Sequence, residues 1–387
     1  MVQINKHCFT KKQVVLNDSR LCLSDIIQQN LEKKLPFCAY KKPNQQLVTI
    51  VTQKNNNLNI LKDFNQSGFV FAPFNDASET IIFPRESTVI KNFNLAEISI
   101  EHKKKSKSFD ANLDESKHLK LVNKTISFLK ESNAKKIVIS RKECVDYPNF
   151  DSIKTFKTLV NEYPSAMVYL WYHPKIGLWI GATPELLLQI KNRRFTTMAL
   201  AGTQKHQVNS TLVWQKKEQE EQQYVTDYIC NLLDKHQVSY SKTNPYTEIA
   251  GNIAHIRTDI SGVLQPSINL SKLISDLHPT PAVCGIPKET AKNFILHNEG
   301  YNREFYTGFL GELNKKTFKN RNKRNIENQV YKNSTIETYL FVNLRCMKVT
   351  NNTLCFFIGG GITKDSIAIN EFKETIEKSK VLKKFIK

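Results

Sequence analysis

Two stretches of this chain set glutamates one helical turn apart at the end of an apolar stripe. In "KKEQEEQQYVTDYICNLLDK" the stripe is Val225, Ile229, Leu232 and Leu233, and running it backwards reaches Glu221 and Glu218. In the carboxyl-terminal stretch Phe385 and Val381 lead back through Lys378 to Glu374 and Glu371. Carboxylates on a buried face are costly unless they are paired or bound to a cation. The ordinary alternative is that each stripe surfaces at its amino-terminal end, where acids also suit the helix dipole. The same device on two helices favours a shared site for a hard cation. Oxygen donors from few carboxylates, completed by water and substrate, point to Mg²⁺. No cluster of histidine and cysteine suggests zinc.

The second of these stretches follows "FFIGGGITKDS" (356–366). Its glycines match neither a P-loop nor a dinucleotide fingerprint, so the segment reads as a loop made for another anion. Lys136 opens the run "KIVISR", and Glu185 follows Pro184 in "GATPELLL". A lysine on a strand is ordinarily solvated, but near a cation and inside a pocket its pKa could fall enough to make it a base. In "SDLHPTPAVCGIPKETA" three prolines hold a rigid segment around His278, and a single histidine there suits a structural hydrogen bond.

These groups need a scaffold. Residues 1–100 alternate short β-like runs with polar turns, and 101–120 reads as a charged, exposed connection. A helix is expected over about 118–132. Strands follow at 136–141, 166–172, 177–182, 185–190 and 194–200, joined by turns short enough for antiparallel pairing. A helix over about 215–235, a hairpin turning at Asn351–Asn352, a helix restarting after Pro287 and a last helix over about 369–385 complete the pattern. The basic run 314–334 reads as a solvated insertion.

At 387 residues the chain can bury a large core. No apolar run is long enough to span a bilayer, and no signal-peptide segment is evident at the start, so a cytoplasmic protein is expected. Its eight cysteines form no metal-ligand spacing and read as free thiols in a reducing compartment. A balance of 56 basic against 36 acidic residues gives a net charge of +20. The charge is dispersed and lacks interleaved aromatics, which argues against a nucleic-acid partner.

From about residue 115 to 387 the chain resembles the chorismate-utilising enzymes, and among them isochorismate synthase most. The motifs are "KIVISR", "GATPELLL", "ALAGT", "KEQEEQQYV", "HIRTDISG", "LHPTPAVCGIP", "EGYNREFYTGFLGE", "FVNLRC" and "IGGGITKDS…NEFKETIEK", in the family's order. Residues 1–114 look like the family's divergent, β-rich amino-terminal part, and 115–387 like its catalytic part. The resemblance implies an α+β fold of two large antiparallel β-sheets flanked by helices, as in anthranilate synthase component I.

It also implies Mg²⁺-dependent conversion of chorismate to isochorismate by a monomer with no obligatory glutaminase subunit, no membrane and no nucleic acid. By motif, Glu221 and Glu374 would hold the metal, supported by Glu218 and Glu371. Lys136 would be the general base for the attacking water, and Glu185 the general acid for the departing C4 hydroxyl. Arg345 and Tyr306 resemble partners of the enolpyruvyl carboxylate. Gly202, Thr203, Gly361 and Lys378 resemble receivers of the substrate carboxylates, with no Cβ at Gly361 to keep a carboxylate from the backbone amides. His255 would line the ring pocket. The aminating relatives, anthranilate and aminodeoxychorismate synthases, typically carry Gln where this chain has Lys136, whereas salicylate synthases keep the lysine and remain the nearest alternative. Gln222 stands where the family commonly has His.

Overall fold

The computed structural model describes residues 21–98, 115–205, 212–250, 253–319 and 333–384. The first of these segments forms α1 (Leu23–Glu32), β1 (Phe37–Lys41), β2 (Leu47–Gln53), β3 (Gly68–Ala72), β4 (Ile81–Pro84) and β5 (Thr88–Asn94). Next come α2 (Glu115–Glu131), β6 (Lys136–Asp146), α3 (Ser152–Glu162), β7 (Met167–His173), β8 (Gly177–Thr183), β9 (Leu186–Lys191) and β10 (Arg194–Lys205). After α4 (Lys216–Lys235) follow β11 (Tyr240–Lys242), β12 (Tyr246–Ala250), β13 (Ile253–Val263), α5 (Leu270–Leu277), β14 (Gly285–Ile286) and α6 (Lys288–Asn298). The chain ends in β15 (Phe309–Lys319), β16 (Asn333–Val342), β17 (Cys346–Thr350), β18 (Thr353–Ile362) and α7 (Ala368–Lys383).

The strands make two large sheets, and the named pairs are antiparallel. One sheet runs β14-β6-β18-β17-β8-β7-β1-β2-β5, and the other β11-β13-β10-β9-β16-β15-β3-β4, with β12 on β13. This is the expected α+β architecture. Strands from residues 21–98 enter both sheets, β1, β2 and β5 the first and β3 and β4 the second, so the amino-terminal part shares its sheets with the rest.

Strand alternation explains the layering. In "MVYLWYH" Val168 and Leu170 turn to one side, where α1 and α3 cover them with Ile27, Phe156 and Leu159. Tyr169 and Trp171 turn to the other side and meet Phe69, Phe71 and Leu310 of the second sheet. The second sheet hides its outer face under α4 and α5, through Val225, Ile229 and Leu233 on Phe195 and Ala199. Outer faces are largely aliphatic, whereas the gap between the sheets is aromatic; Phe71 stacks on Phe305 at 4.3 Å and Phe83 on Trp171 at 5.4 Å.

Two expectations are corrected here. Gly359–Gly361 is no loop: it lies inside β18, in register with Ser140, Ile139 and Val138 of β6. Glycine in a strand marks a close approach, and a Cβ on Gly361 would stand 2.8 Å from Lys136 Cε. The cysteines are not all free, because Cys144 and Cys355 are disulfide-bonded at opposite places in the same β6–β18 pair. A partner 211 residues away leaves no trace in spacing. The helices at α2, α4, α6 and α7 and the β17–β18 hairpin follow the expected pattern within a few residues, whereas α1 and α3 went unread. Phe385, most of the 101–120 connection and most of the 314–334 run lie outside the described residues.

Candidate active site

The chain leaves the first sheet for the second at Thr183–Pro184–Glu185, between β8 and β9, and returns at Asn343–Leu344–Arg345, between β16 and β17. The two crossings lie side by side: Val342 N donates to Glu185 O at 3.0 Å and Ala182 N to Arg345 O at 3.1 Å. Arg345 has φ of 47°, a left-handed backbone that a non-glycine residue adopts only when its surroundings impose it. Together the crossings deliver a carboxyl and a guanidinium to one cavity between the sheets.

That cavity has an empty volume of about 1000 Å³, counted out to open solvent. Glu185 and Arg345 line it together with Gly202 and Thr203 of β10, Glu221 of α4 and His255 of β13. Tyr306, Gly361 of β18 and Lys378 of α7 close it. Gly202 sits at a bulge between β10 and β13 with φ of 68°, next to the side chain of Glu218. Lys136, Glu218, Glu371 and Glu374 are not in the lining but stand directly behind it.

Lysines and glutamates alternate behind Gly361. Lys136 is buried, and its Nζ lies 2.6 Å from Glu221 Oε1 in an ion pair that lacks hydrogen-bond geometry. Lys378 Nζ lies 2.7 Å from Glu374 Oε1 and donates to Gly359 O at 3.1 Å. Lys217 Nζ holds Glu371 Oε1 at 2.8 Å. Desolvation opposes the charge of Glu374, but Lys378, Lys217 and Lys136 outweigh it and keep that carboxyl below its usual range. Lys378 is raised by the same group of acids against its own desolvation. The two helix stripes therefore do converge, α4 bringing Glu221 and α7 bringing Glu374.

Glu185 has a different environment. It is buried, and Thr280 Oγ1 donates to its Oε1 at 3.2 Å. Burial raises its pKa from 4.5 to about 7, with the Thr280 bond, Lys136 and Arg345 pulling the other way. A carboxyl that is half protonated near neutrality can donate a proton.

His255 is kept neutral, first by burial and then by Arg345, with its pKa pushed down to about 3. Its tautomer follows from its neighbours: Nδ1 donates to Gly202 O at 3.0 Å, and Nε2 accepts from Arg345 Nη2 at 2.8 Å. The imidazole thus aims the guanidinium. The Tyr306 phenol occupies the space where a Gly359 side chain would stand, 2.6 Å from its Cβ position, and its ring stacks on Phe357 at 5.4 Å.

Sequence reasoning missed Lys217, which sits on the exposed-looking turn before Glu221 yet holds Glu371. Thr280 was visible only as part of a proline-rich segment. Gln222, in place of the usual His, is buried and donates to Thr258 Oγ1 at 2.8 Å and Thr226 Oγ1 at 2.9 Å, pinning α4 to β13 beside Glu221. His278 accepts the structural role: its ring pairs with Thr307 O at 3.0 Å.

A family model described as "Chorismate binding enzyme" matches residues 45–318, and the chain belongs to that family. It is 26% identical over 208 residues to the isochorismate synthase EntC of Escherichia coli (strain K12), covering 51% of this chain and 48% of that protein. The chain thus spans about half the length of the curated relatives it matches. Among solved structures it is similar to DhbC of Bacillus anthracis, assigned as a 2,3-dihydroxybenzoate-specific isochorismate synthase. The TM-score is 0.72 at 22% identity, covering 93% of this chain and 99% of that one. Anthranilate synthase component I of Streptococcus pneumoniae aligns with a TM-score of 0.61 at 17% identity, covering 97% and 95%. These two likenesses establish the fold.

Proposed function

We propose that this chain converts chorismate to isochorismate, adding water at C2 while the C4 hydroxyl leaves. The observation that carries this reading is the buried Glu185, with its pKa near 7, on a cavity whose wall hides the buried Lys136. The reaction needs a proton donor at one ring carbon and a proton acceptor at another, so two separate groups are required.

Lys136 takes the proton from the attacking water. Its side chain is buried against Glu221 Oε1 behind the wall of the cavity. Glu185 gives its proton to the departing hydroxyl, which leaves as water. Arg345, aimed by His255, and Tyr306 receive the enolpyruvyl carboxylate, the guanidinium through its paired N–H groups. Lys378, Gly202, Thr203 and Gly361 receive the remaining carboxylate charge.

Mg²⁺ fits the acids behind Gly361. Glu218 Oε2 is buried with no hydrogen-bond partner among the described residues, a placement that suits a nearby cation. Among the described residues no group of three or more His, Cys, Asp or Glu side chains stands close enough together to hold a metal ion. Glu221 and Glu374 would hold it, with Glu218 and Glu371 in support. Bound there it would offset the charge of the substrate's ring carboxylate.

Incubation of the purified chain with chorismate, with and without Mg²⁺, tests the reading by product identification. Isochorismate as the Mg²⁺-dependent product supports it. Salicylate with pyruvate would move the chain to salicylate synthase, and an amine formed only with ammonia or glutamine would remove Lys136 from the role of base.

A further inference from the structure

A second cleft opens on the far side of β6, and it shares no lining residue with the cavity described above. Strand β14 covers β6 only at Lys136 and Ile137, so among the described residues the strand's edge from Ile139 onward has no strand partner there. The cleft lies along that edge, with an empty volume of about 1300 Å³ counted out to open solvent. Its other wall is α2. Lys117, Lys120 and Lys124 recur on that helix at three- and four-residue steps, so they share one face, and Arg141 of β6 lines the cleft with them, whereas Lys142 turns to the other face of the strand with its Nζ over the Phe357 ring.

A row of exposed lysines is usually only a solvated face. A buried imidazole and a half-buried guanidinium at the back of this cleft make it more than that. His118 is 4% exposed, and its Nδ1 has no hydrogen-bond partner among the described residues. Arg141 uses Nε on Thr375 Oγ1 at 2.9 Å and Nη1 on Glu143 Oε2 at 2.8 Å, while its buried Nη2 has no hydrogen-bond partner among the described residues. Both rings of donors rest against Phe372, at 5.8 Å in each case, so neither is free to swing out into water. Buried polar nitrogens left without partners are costly, and native structures satisfy them.

The cleft's two carboxylates do not answer them. Glu143 is shared between Arg141 and Lys383. Glu299 accepts Ser140 N at 2.6 Å, Ser140 Oγ at 2.9 Å and Arg303 Nε at 2.7 Å. What remains is an excess of positive charge around two unpartnered nitrogens, the surroundings that a doubly charged oxyanion meets best.

We propose that this cleft is a binding site for a phosphate group, held by Arg141 Nη2 and His118 at its back and by Lys120 and Lys124 at its mouth. Burial and then Arg141 keep His118 neutral, with a pKa of about 4, so it offers a single N–H. The planar guanidinium offers a second, already fixed in direction by Thr375 and Glu143. Free phosphate and a phosphomonoester present the same chemistry to these groups.

Calorimetric titration of the full chain with inorganic phosphate, and separately with glycerol phosphate, in a chloride buffer tests the site. Binding is expected in the unaltered chain. It should weaken about tenfold or more in the double variant Lys120→Glu/Lys124→Glu, whose exposed positions leave the fold intact, and in His118→Phe. It should persist in Arg345→Gln, which disables the other anion-binding cavity. Tighter binding of glycerol phosphate would identify a phosphomonoester ligand, and equal or weaker binding would identify free phosphate. No binding to the unaltered chain, binding unchanged in Lys120→Glu/Lys124→Glu, or binding lost in Arg345→Gln would overturn the proposal.

Discussion

The gap between the two sheets is filled in one half and hollow in the other, and each half buries a glutamate. In the filled half Phe71, Trp171, Trp179 and Phe305 pack ring on ring, and Glu312 is buried at their margin. Burial opposes its charge, but Lys42 and Lys315 outweigh it and hold the carboxyl below its usual range, with Tyr40 donating to it as well. In the hollow half Glu185 has only the Thr280 hydroxyl as a hydrogen-bond donor of its side chain among the described residues, and its pKa rises to about 7. Two equally buried acids therefore do opposite things. A carboxylate with adjacent lysines is a fixed charge that holds the sheets together, and one facing a cavity keeps a proton to give. Phe357 is the partition, stacked on Trp179 of the packed half and on Tyr306 of the open half.

The largest expected effect comes from removing the proton donor and acceptor. On the proposed reaction, Glu185→Gln and Lys136→Ala should each lower kcat by about 10²–10⁴-fold. Glu185→Gln should leave the thermal midpoint near or above that of the unaltered chain, because a neutral amide replaces a group whose charged form burial disfavours. Steady-state kinetics with chorismate and a melting curve on the same samples check both halves. A Glu185→Gln protein with undiminished kcat would erase the contrast with Glu312.

The converse change belongs to the packed half. Glu312→Ala leaves the buried Lys42 with only Glu337, 3.8 Å away, and should cost about 3 kcal/mol of stability. Phe71→Ala should cost about the same by opening a cavity among four rings. Urea unfolding measures each. A loss under about 1 kcal/mol for Glu312→Ala would mean that the buried pair contributes little beyond packing.

pH separates the two acids next. Glu185 has a folded pKa of about 7 against the usual 4.5, so the folded state binds its proton more tightly than the unfolded chain does. Its contribution to stability is complete below 4.5 and is lost as pH rises through 7, by about 3 kcal/mol in all. Glu312 has the opposite sign, since its folded pKa is depressed and its contribution disappears as pH falls. Unfolding free energies between pH 5 and 8 should decline less steeply in Glu185→Gln than in the unaltered chain. The same proton sets the upper limb of the rate profile: kcat/KM for chorismate should fall as pH rises past about 7.

How much of this was legible in the sequence follows from what each feature depends on. Periodicity sees local facts, and so it located α4 and α7 and placed Glu221 and Glu374 on stripes that do converge. The strand runs from 136 to 200 were legible for the same reason. The family motifs singled out Glu185 and Arg345, but not why they meet, because that depends on two sheet crossings about 160 residues apart in sequence lying side by side. Partners chosen in three dimensions left no signal: Lys217 on Glu371, Thr280 on Glu185, Cys144 on Cys355. The glycine run was legible as unusual, yet its setting was misread. A strand interior was taken for a loop because glycine so often marks turns.

The glycine run also gives the smallest and sharpest test of the boundary between the halves. A methyl group on Gly360 would meet nothing closer than Thr375 Cγ2 at 3.9 Å, an ordinary contact. On Gly361 it would stand 2.8 Å from Lys136 Cε and 2.9 Å from Glu221 Oε1, the ends of two flexible side chains that can give way. On Gly359 it would stand 2.6 Å from the Tyr306 hydroxyl. Gly361→Ala should therefore fold but push Lys136 and Glu221 apart, lowering kcat/KM by about tenfold, the effect of a small misplacement of reacting groups. Gly359→Ala should act mainly through KM, by displacing the phenol that receives a carboxylate. Gly360→Ala should change either by less than about twofold, because nothing it touches reaches the cavity. If all three variants behave alike, β18 is merely intolerant of side chains, and Gly361 has no special part in leaving Lys136 and Glu221 room beside the cavity.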